Sequence, residues 1–345
     1  MTRPPLTAEQ AGQRKVSQQL LIAIIAGLVS ALFHGSLLSG SPLSVILVCI
    51  SSMPLFLAGL GWGWFAAAVA AAAGTIALLF FGGVLPAAGY LIAIAAPSAW
   101  LSRLALLSRP GEQPGSVEWY PPGRLVAAAT MIGAALVLPS LASFNFSLEK
   151  MHVAIRDMFD RLLAAGKDAP GLPNGGTIDT DALAAIFVRL MPPASVVIWI
   201  ATTLISLYIA GRILRASNFL KRPWPDLRMI ELPRMLTLGV AASILVTFVP
   251  GIVGVIAGAV ASGLVLAHTL IGLAVMHVAT LPSPVRILIL GGVYFALLFL
   301  GWSPLFISWP GIILAIVGLL EPRLHLRERA LARMQKPPSS PQGKT

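Results

Sequence analysis

The sequence predicts an all-α, polytopic bundle of transmembrane helices, with about ten spans and with both the N-terminus and the C-terminus cytoplasmic. Three observations predict it. Hydrophobic residues make up 57% of the 345 and charged residues 11%, whereas a soluble domain covers its surface with about 25% charged residues. The mean hydropathy is +0.86. Apolar runs long enough to cross about 30 Å of hydrocarbon, at about 1.5 Å per helical residue, recur along the chain. With the N-terminus inside and ten spans alternating, 19 of the 24 Lys and Arg residues fall on the cytoplasmic side, as the positive-inside rule requires.

Residues 1–17 form a polar tail carrying Arg3, Arg14 and Lys15, and the first span follows over 18–38. Its basic start resembles a secretory signal, but the equally apolar segments beyond it favour an uncleaved anchor. Spans two to four are predicted over 42–60, 63–82 and 85–107, divided by Gly61-Trp62-Gly63, by Gly82-Gly83 and by Pro86, since Gly and Pro punctuate helices. A loop over 108–123 leads to span five at 124–144, closing an N-terminal five-helix membrane region, 18–144.

Residues 145–193 are the long polar segment and read as an extracytoplasmic amphipathic helical insertion. Ser147 is a candidate N-cap for a helix ending at Gly166. Leu148, Met151, Ile155, Met158, Phe159, Leu162 and Leu163 recur at steps of three and four, giving one apolar face. Such a helix is expected to lie on the membrane surface or cover the bundle. A linker over 170–176 and a short helix over 181–191 complete the insertion.

The C-terminal five-helix membrane region, 194–320, holds spans at 194–214, 235–249, 251–280, 284–300 and 304–320, with a nine-span variant if 301–320 is partly re-entrant. A loop with Lys221, Arg222, Arg228 and Arg234 joins the first two, and Pro250-Gly251 divides the next two. Residues 321–345 read as a basic, disordered cytoplasmic tail. Trp62, Trp64, Trp100, Trp199, Trp302 and Trp309 fall near span ends, where an indole meets both lipid and headgroup. No alternating strand pattern of the barrel kind is present.

Several chemistries are excluded. Cys49 is the only cysteine, so there is no intrachain disulfide and no thiolate metal site. The formal charge of +11 sits in short loops beside apolar spans rather than in a base-reading surface, so nucleic acid is not an expected partner. The zinc-protease helix, the nucleophile elbow, the P-loop and the dinucleotide fingerprint are all missing. No catalytic residue, metal or cofactor is expected, and the chain is not expected to be an enzyme. Asp157/Asp160 and Asp179/Asp181 read as helix N-terminal or solvated carboxylates.

Ionisable groups inside a bilayer are costly and therefore candidates for function. His34 lies near the outer end of span one, His268 near the middle of span eight, and His277 toward that span's cytoplasmic end. No Asp, Glu or Lys lies in mid-span, which disfavours a self-powered carrier. Ser36 and Ser39, in the loop after His34, join the three histidines as candidate ligand-binding residues. Small-residue faces mark close helix packing or partner docking. They are Ala23, Gly27 and Ala31 in span one, the alanine-rich stretch Ala66 to Gly74 in span three, and Gly254, Gly258 and Ser262 in span eight.

Three stretches resemble the YybS-like family of uncharacterised bacterial integral membrane proteins. They are Trp224-Pro225-Asp226-Leu227 leading to Leu232-Pro233-Arg234, Ile271-Gly272-Leu273-Ala274-Val275-Met276-His277, and Gly318-Leu319-Leu320-Glu321-Pro322-Arg323. The span arrangement over 18–330 is similar as well. That family is in turn distantly similar to the substrate-binding subunits of energy-coupling-factor vitamin transporters. The likeness implies a cytoplasmic N-terminus, a first helix that docks a coupling or energising subunit through Ala23, Gly27 and Ala31, and a ligand site toward the outer side at His34 to Ser41. This chain departs from those subunits in having about ten spans rather than six and in its insertion at 145–193.

These readings point to a multi-pass protein of the inner (plasma) membrane that binds or transports a small solute without its own energy source. The alternative is a non-transporting scaffold or envelope-biogenesis factor acting through Lys221, Arg222 and Arg228. The lipid bilayer is the partner common to both.

Overall fold

A computed structural model describes residues 8–166, 179–300 and 309–335. The linker at 170–176, Lys167, the junction Gly301-Trp302-Ser303, and residues 1–7 and 336–345 lie outside the described residues. The chain divides into two compact units. One comprises the chain up to Pro225 together with Ser243–Gly263, the other Asp226–Ala242 together with the chain from Leu264 on.

The first unit opens with α1 (Ala8–Gly35), whose apolar part, Val16–Ser39 with the short turn that follows, is long enough to span. Its small face is in use: Ala23 and Ala31 are fully buried. A side chain at Gly27 would collide with the Ala70 carbonyl of α4 (Trp64–Gly82). Two backbones can approach this closely only where side chains are absent or tiny, and in lipid such contacts replace the missing hydrophobic drive.

The second span, Pro42–Trp62, is made of α2 (Pro42–Cys49) and α3 (Met53–Trp62). Gly63 and Gly83 terminate α3 and α4 at φ of 112° and 85°, a region that residues with a Cβ rarely enter. The fourth span, Val84–Ala105, is α5 (Val84–Tyr90), a π turn at Leu91–Ala95 and α6 (Ala96–Ala105). Within that π turn the Ala93 carbonyl accepts the Trp199 indole N–H at 2.7 Å.

The predicted loop at 108–123 contains a small antiparallel hairpin, β1 (Ser108–Pro110) with β2 (Val117–Trp119), Arg109 facing Glu118. The pairing is local and too short to read from alternation. The fifth span is α7 (Pro122–Ala135) with α8 (Val137–Ala142).

The insertion folds differently from its expected outline. Ser147 does cap α9 (Leu148–Gly166), accepting the Lys150 N–H. The predicted helix at 181–191 and the span at 194–214, however, are one continuous helix, α10 (Thr180–Ala216), with Pro192 and Pro193 inside it. The Pro-Pro pair reads as a break because each proline removes an N–H donor. Here the carbonyls left without a helical N–H are those of Val188 and Arg189. At about 55 Å for its 37 residues, α10 is far longer than the bilayer's hydrocarbon is thick. Its N-terminal part packs against α9. Met151 and Ile155 are buried on one side, Ala184 and Val188 on the other. Phe159 meets Phe187 edge-on at 5.0 Å, and Asp181 holds both His152 and Arg156. Part of the apolar face of α9 is thus turned onto α10, while Met158 and Leu162 on the same face stand exposed.

The second unit contains the start of α11 (Arg234–Thr247), the C-terminal part of α12 (Ile252–Ala279), α13 (Arg286–Phe295), α14 (Trp309–Leu324) and α15 (Leu326–Gln335). Helices α12 and α14 cross with almost no gap. A Cβ on Gly272 would strike the Leu314 carbonyl, and one on Gly318 the His268 carbonyl. The Thr269 hydroxyl donates across this crossing to the Gly311 carbonyl at 3.0 Å. After α14 the chain turns by 74° at His325, whose φ is 47°, into α15. The sequence suggests a disordered tail from 321 onward; Leu326–Gln335 is instead helical, for a reason that lies in Glu321 and Arg327.

Seven helical segments among the described residues are long and apolar enough to cross a membrane, and an eighth is added if the bent α14–α15 pair counts as one span. Arg234–Thr247 and Arg286–Phe299 are shorter apolar helices. Large side chains such as Phe80, Leu85 and Ile287 stand 83–88% exposed, a distribution suited to lipid and not to water.

Candidate functional site

Within the first unit, one polar track runs through an otherwise apolar crossing. Tyr90, at the start of the fourth span, is fully buried. Its hydroxyl lies over Gly74, so the absence of a side chain on α4 makes room for it. That hydroxyl donates to Ser30 Oγ at 2.8 Å, and Ser30 donates to the Ser51 carbonyl at 2.6 Å. Ser51 in turn donates to the Val48 carbonyl. The α2–α3 break supplies these carbonyls.

His34 sits one turn beyond Ser30 on the same face of α1, its ring 5.3 Å from that of Tyr90 and inclined by 57°. Its Nδ1 is shielded from solvent and meets no hydrogen-bond partner among the described residues. Burying an imidazole nitrogen unpaired carries a cost of about 1–3 kcal/mol, so such an atom calls for an explanation. Ser36 and Ser39 close the turn above. Their hydroxyls donate to the carbonyls of Phe33 and Ser36, and the Ser39 oxygen also accepts the Ser41 N–H at 3.4 Å.

The second unit holds the other two histidines in different circumstances. His268 is 1% exposed. Its Nδ1 faces the Leu264 carbonyl at 2.8 Å and its Nε2 the Thr237 hydroxyl at 3.3 Å. A carbonyl can only accept, so Nδ1 carries the proton and Nε2 receives the threonine's. Both nitrogens are satisfied, as in a packed core group. His277 Nε2 lies 2.9 Å from the Tyr294 hydroxyl. Nine residues separate the two histidines, which places them on opposite sides of α12. His34, Ser36 and Ser39 follow one another at the end of α1 and the turn beyond it, whereas His268 and His277 have separate surroundings. Among the described residues no group of three or more His, Cys, Asp or Glu could hold a metal ion.

The small-residue faces are occupied by the chain's own helices. Ala23, Gly27 and Ala31 lie against α4. Gly254 lies against the carbonyls of Thr247 and Val249. Ser262 donates to the Pro193 carbonyl.

The basic loop is also committed. Lys221 Nζ donates to the Trp62 carbonyl at 2.7 Å, capping the C-terminus of α3. Arg222 donates to the Ala105 carbonyl at the end of α6 and to Tyr120, and burial lowers its pKa from the ordinary value. Cations at helix C-termini complement the exposed carbonyls. Arg228 holds the Asp226 carboxyl below the usual range through a side-chain hydrogen bond.

Sequence reasoning misses Tyr90, Ser30 and Ser51. The available signal is a phenol inside an apolar run, because a buried hydroxyl must find an acceptor.

Fold and composition together define a multi-pass α-helical membrane protein. No protein-family model matches the chain, and neither a curated protein nor a solved structure matches it.

Proposed function

We infer that this chain is a ten-span protein of the bacterial inner membrane, with both termini cytoplasmic, that binds a small solute as the membrane component of a transport system energised by another subunit. The observation that carries the solute reading is the shielded, unpartnered Nδ1 of His34 beside the Tyr90–Ser30–Ser51 chain. A ligand with one polar group for the imidazole and an apolar body for the Tyr90 ring fits this surrounding.

The orientation reading rests on the distribution of charge at the two ends of the first unit. His34 and Tyr90 mark one end; Trp62, Trp64, Arg103, Lys221 and Arg222 mark the other, so the basic end faces the cytoplasm. What suggests transport is the distant similarity of the YybS-like family, which the chain resembles, to the substrate-binding subunits of energy-coupling-factor transporters. Because α4 covers the Ala23–Gly27–Ala31 face, a coupling subunit would dock elsewhere. No mid-span carboxylate supplies ion coupling within the chain itself.

The test is a thermal-shift screen of the purified full chain against polar small solutes, joined to affinity purification from native membranes. The expected result is a solute that raises the melting temperature of the wild type but not of His34→Ala, with Ser116→Ala, an exposed serine of the 108–123 loop, responding normally. A response that persists in His34→Ala removes the site. No response to any solute, together with no co-purifying ATPase or coupling subunit, removes the transport reading and leaves the scaffold.

A further inference from the structure

The basic end of the first unit divides into two kinds of cation. From Arg103 to Arg124 and Arg212 to Arg222 it carries seven basic residues, Arg103, Arg109, Arg124, Arg212, Arg215, Lys221 and Arg222, against two acids, Glu112 and Glu118. Arg109 is paired with Glu118, and Lys221 and Arg222 hold helix-terminal carbonyls. Arg212 and Arg215 are different. Both stand exposed in the last two turns of α10, where the apolar helix ends, and neither has a carboxylate partner among the described residues. Both guanidiniums approach the ring of Trp224, at 6.0 Å and 5.6 Å from its centroid. Trp224 is itself braced edge-on by Tyr208 at 5.6 Å and packed over Gly211.

We propose that Arg212, Arg215 and Trp224 form a binding site for the phosphate of an anionic phospholipid headgroup. The guanidiniums present planar forks that match phosphate oxygens. The indole fixes their position and lies at the depth where aromatic side chains meet headgroups. With Lys221 and Arg222 occupied by backbone, α10 brings two positive charges without a carboxylate partner among the described residues, Arg212 donating only to the Tyr208 hydroxyl at 3.4 Å, to the leaflet that carries anionic lipid. A bilayer supplies this occupant at high local concentration, and the excess of cations over acids at this end makes the charge complementary. The proposal rests on the membrane class and on the orientation proposed above, and is independent of the solute reading.

The test is native mass spectrometry of the full chain in detergent, titrated in parallel with phosphatidylglycerol, phosphatidylcholine and inorganic phosphate. The wild type is expected to bind phosphatidylglycerol in preference to phosphatidylcholine, with phosphate alone unable to displace it. Each Arg→Gln change is expected to weaken phosphatidylglycerol binding about five-fold, and the Arg212→Gln/Arg215→Gln pair about thirty-fold, at unchanged melting temperature. Lys221→Gln is expected to do the reverse, lowering the melting temperature while keeping the lipid preference. Equal binding of the two lipids by the wild type overturns the proposal, as does a preference that survives the double substitution. Full displacement by inorganic phosphate overturns the assignment to lipid. Should the double Gln variant not fold, Arg212→Lys/Arg215→Lys replaces it. That pair keeps the charge without the fork, and an unweakened preference there overturns guanidinium recognition.

Discussion

Glu321 Oε1 accepts from Arg327 Nε at 2.7 Å, and both side chains are 6% exposed. The pair is more than a contact across the bend at His325. Glu321 also accepts the backbone N–H groups of Leu326 and Arg327, serving the start of α15 as a capping side chain does. Arg327 Nη1 donates to the carbonyls of Arg228 and Ile230. One carboxylate and one guanidinium thus fix the bend, begin α15 and hold the segment before α11.

Because the pair is buried and its hydrogen bonds are largely met, losing one member leaves the other charged and alone. Glu321→Gln or Arg327→Leu is expected to destabilise the second unit by about 3–5 kcal/mol. The paired change Glu321→Leu/Arg327→Leu is expected to cost clearly less than the sum of the two singles. Unfolding of each variant in mild detergent measures this. Additive costs would show that the two residues act separately.

The α12–α14 crossing gives a second expectation. Gly272 and Gly318 each face a backbone carbonyl of the opposite helix with no room for a methyl group, and backbone cannot rotate aside as a side chain can. Gly272→Ala and Gly318→Ala are each expected to cost about 1–3 kcal/mol. Gly291, helical and with nothing within 4 Å of its added Cβ, provides the control. Gly291→Ala should be neutral or gain up to about 1 kcal/mol from helix propensity. If all three behave alike, the close crossing is not what these glycines serve.

Much of this arrangement is legible in the amino-acid sequence. The spans at 42–60, 63–82, 85–107 and 124–144 begin and end within a few residues of their helices because Gly63, Gly83 and Pro122 punctuate them. Ser147 caps the start of α9 as expected, since capping is local chemistry. What escapes is what depends on partners. The Pro192-Pro193 pair reads as a stop, yet α10 runs through it. Glu321 and Arg327, six residues apart, look like ordinary tail charges; only the bend between them brings them into one buried pair. Of the candidate site, His34, Ser36 and Ser39 are visible as polar groups at a span end. The role of Tyr90 depends on a gap at Gly74 that no spacing rule reveals.

Two exposed loops carry pH dependence of known sign. The Arg109 side chain, by hydrogen bond and charge, holds Glu118 below its ordinary pKa, and Arg228 does the same for Asp226. A carboxyl with a lowered folded-state pKa contributes stability above its unfolded pKa and loses it as pH falls through the folded value. Melting temperature should therefore be insensitive to these groups between pH 8 and roughly 5, and fall below about pH 4. Glu118→Gln and Asp226→Asn should each flatten part of that acid limb. Both carboxyls lie in solvent-accessible ion pairs, so the change is small. An acid limb identical in wild type and double variant would place the sensitivity elsewhere.

The proposed orientation is open to direct chemical trial, because Cys49 is the only thiol in the chain. A Cys49→Ala background removes it. Single cysteines can then be placed at Lys150, in the first turn of α9, and at Asn218, just beyond the end of α10. These positions lie outside the apolar spans, so neither is hidden by lipid, and each stands exposed on the protein. With the basic end inside, an impermeant maleimide added to intact cells whose outer membrane has been made porous should modify Lys150→Cys. It should leave Asn218→Cys unmodified until the inner membrane is broken. The positive-inside rule allows one answer here: reversing the chain would put the net-basic ends of spans two to six outside and leave the mixed-charge α9 in the cytoplasm. Labelling of Asn218→Cys in intact cells would reverse the orientation, moving both the His34 site and the Arg212–Arg215 pair to the opposite leaflets.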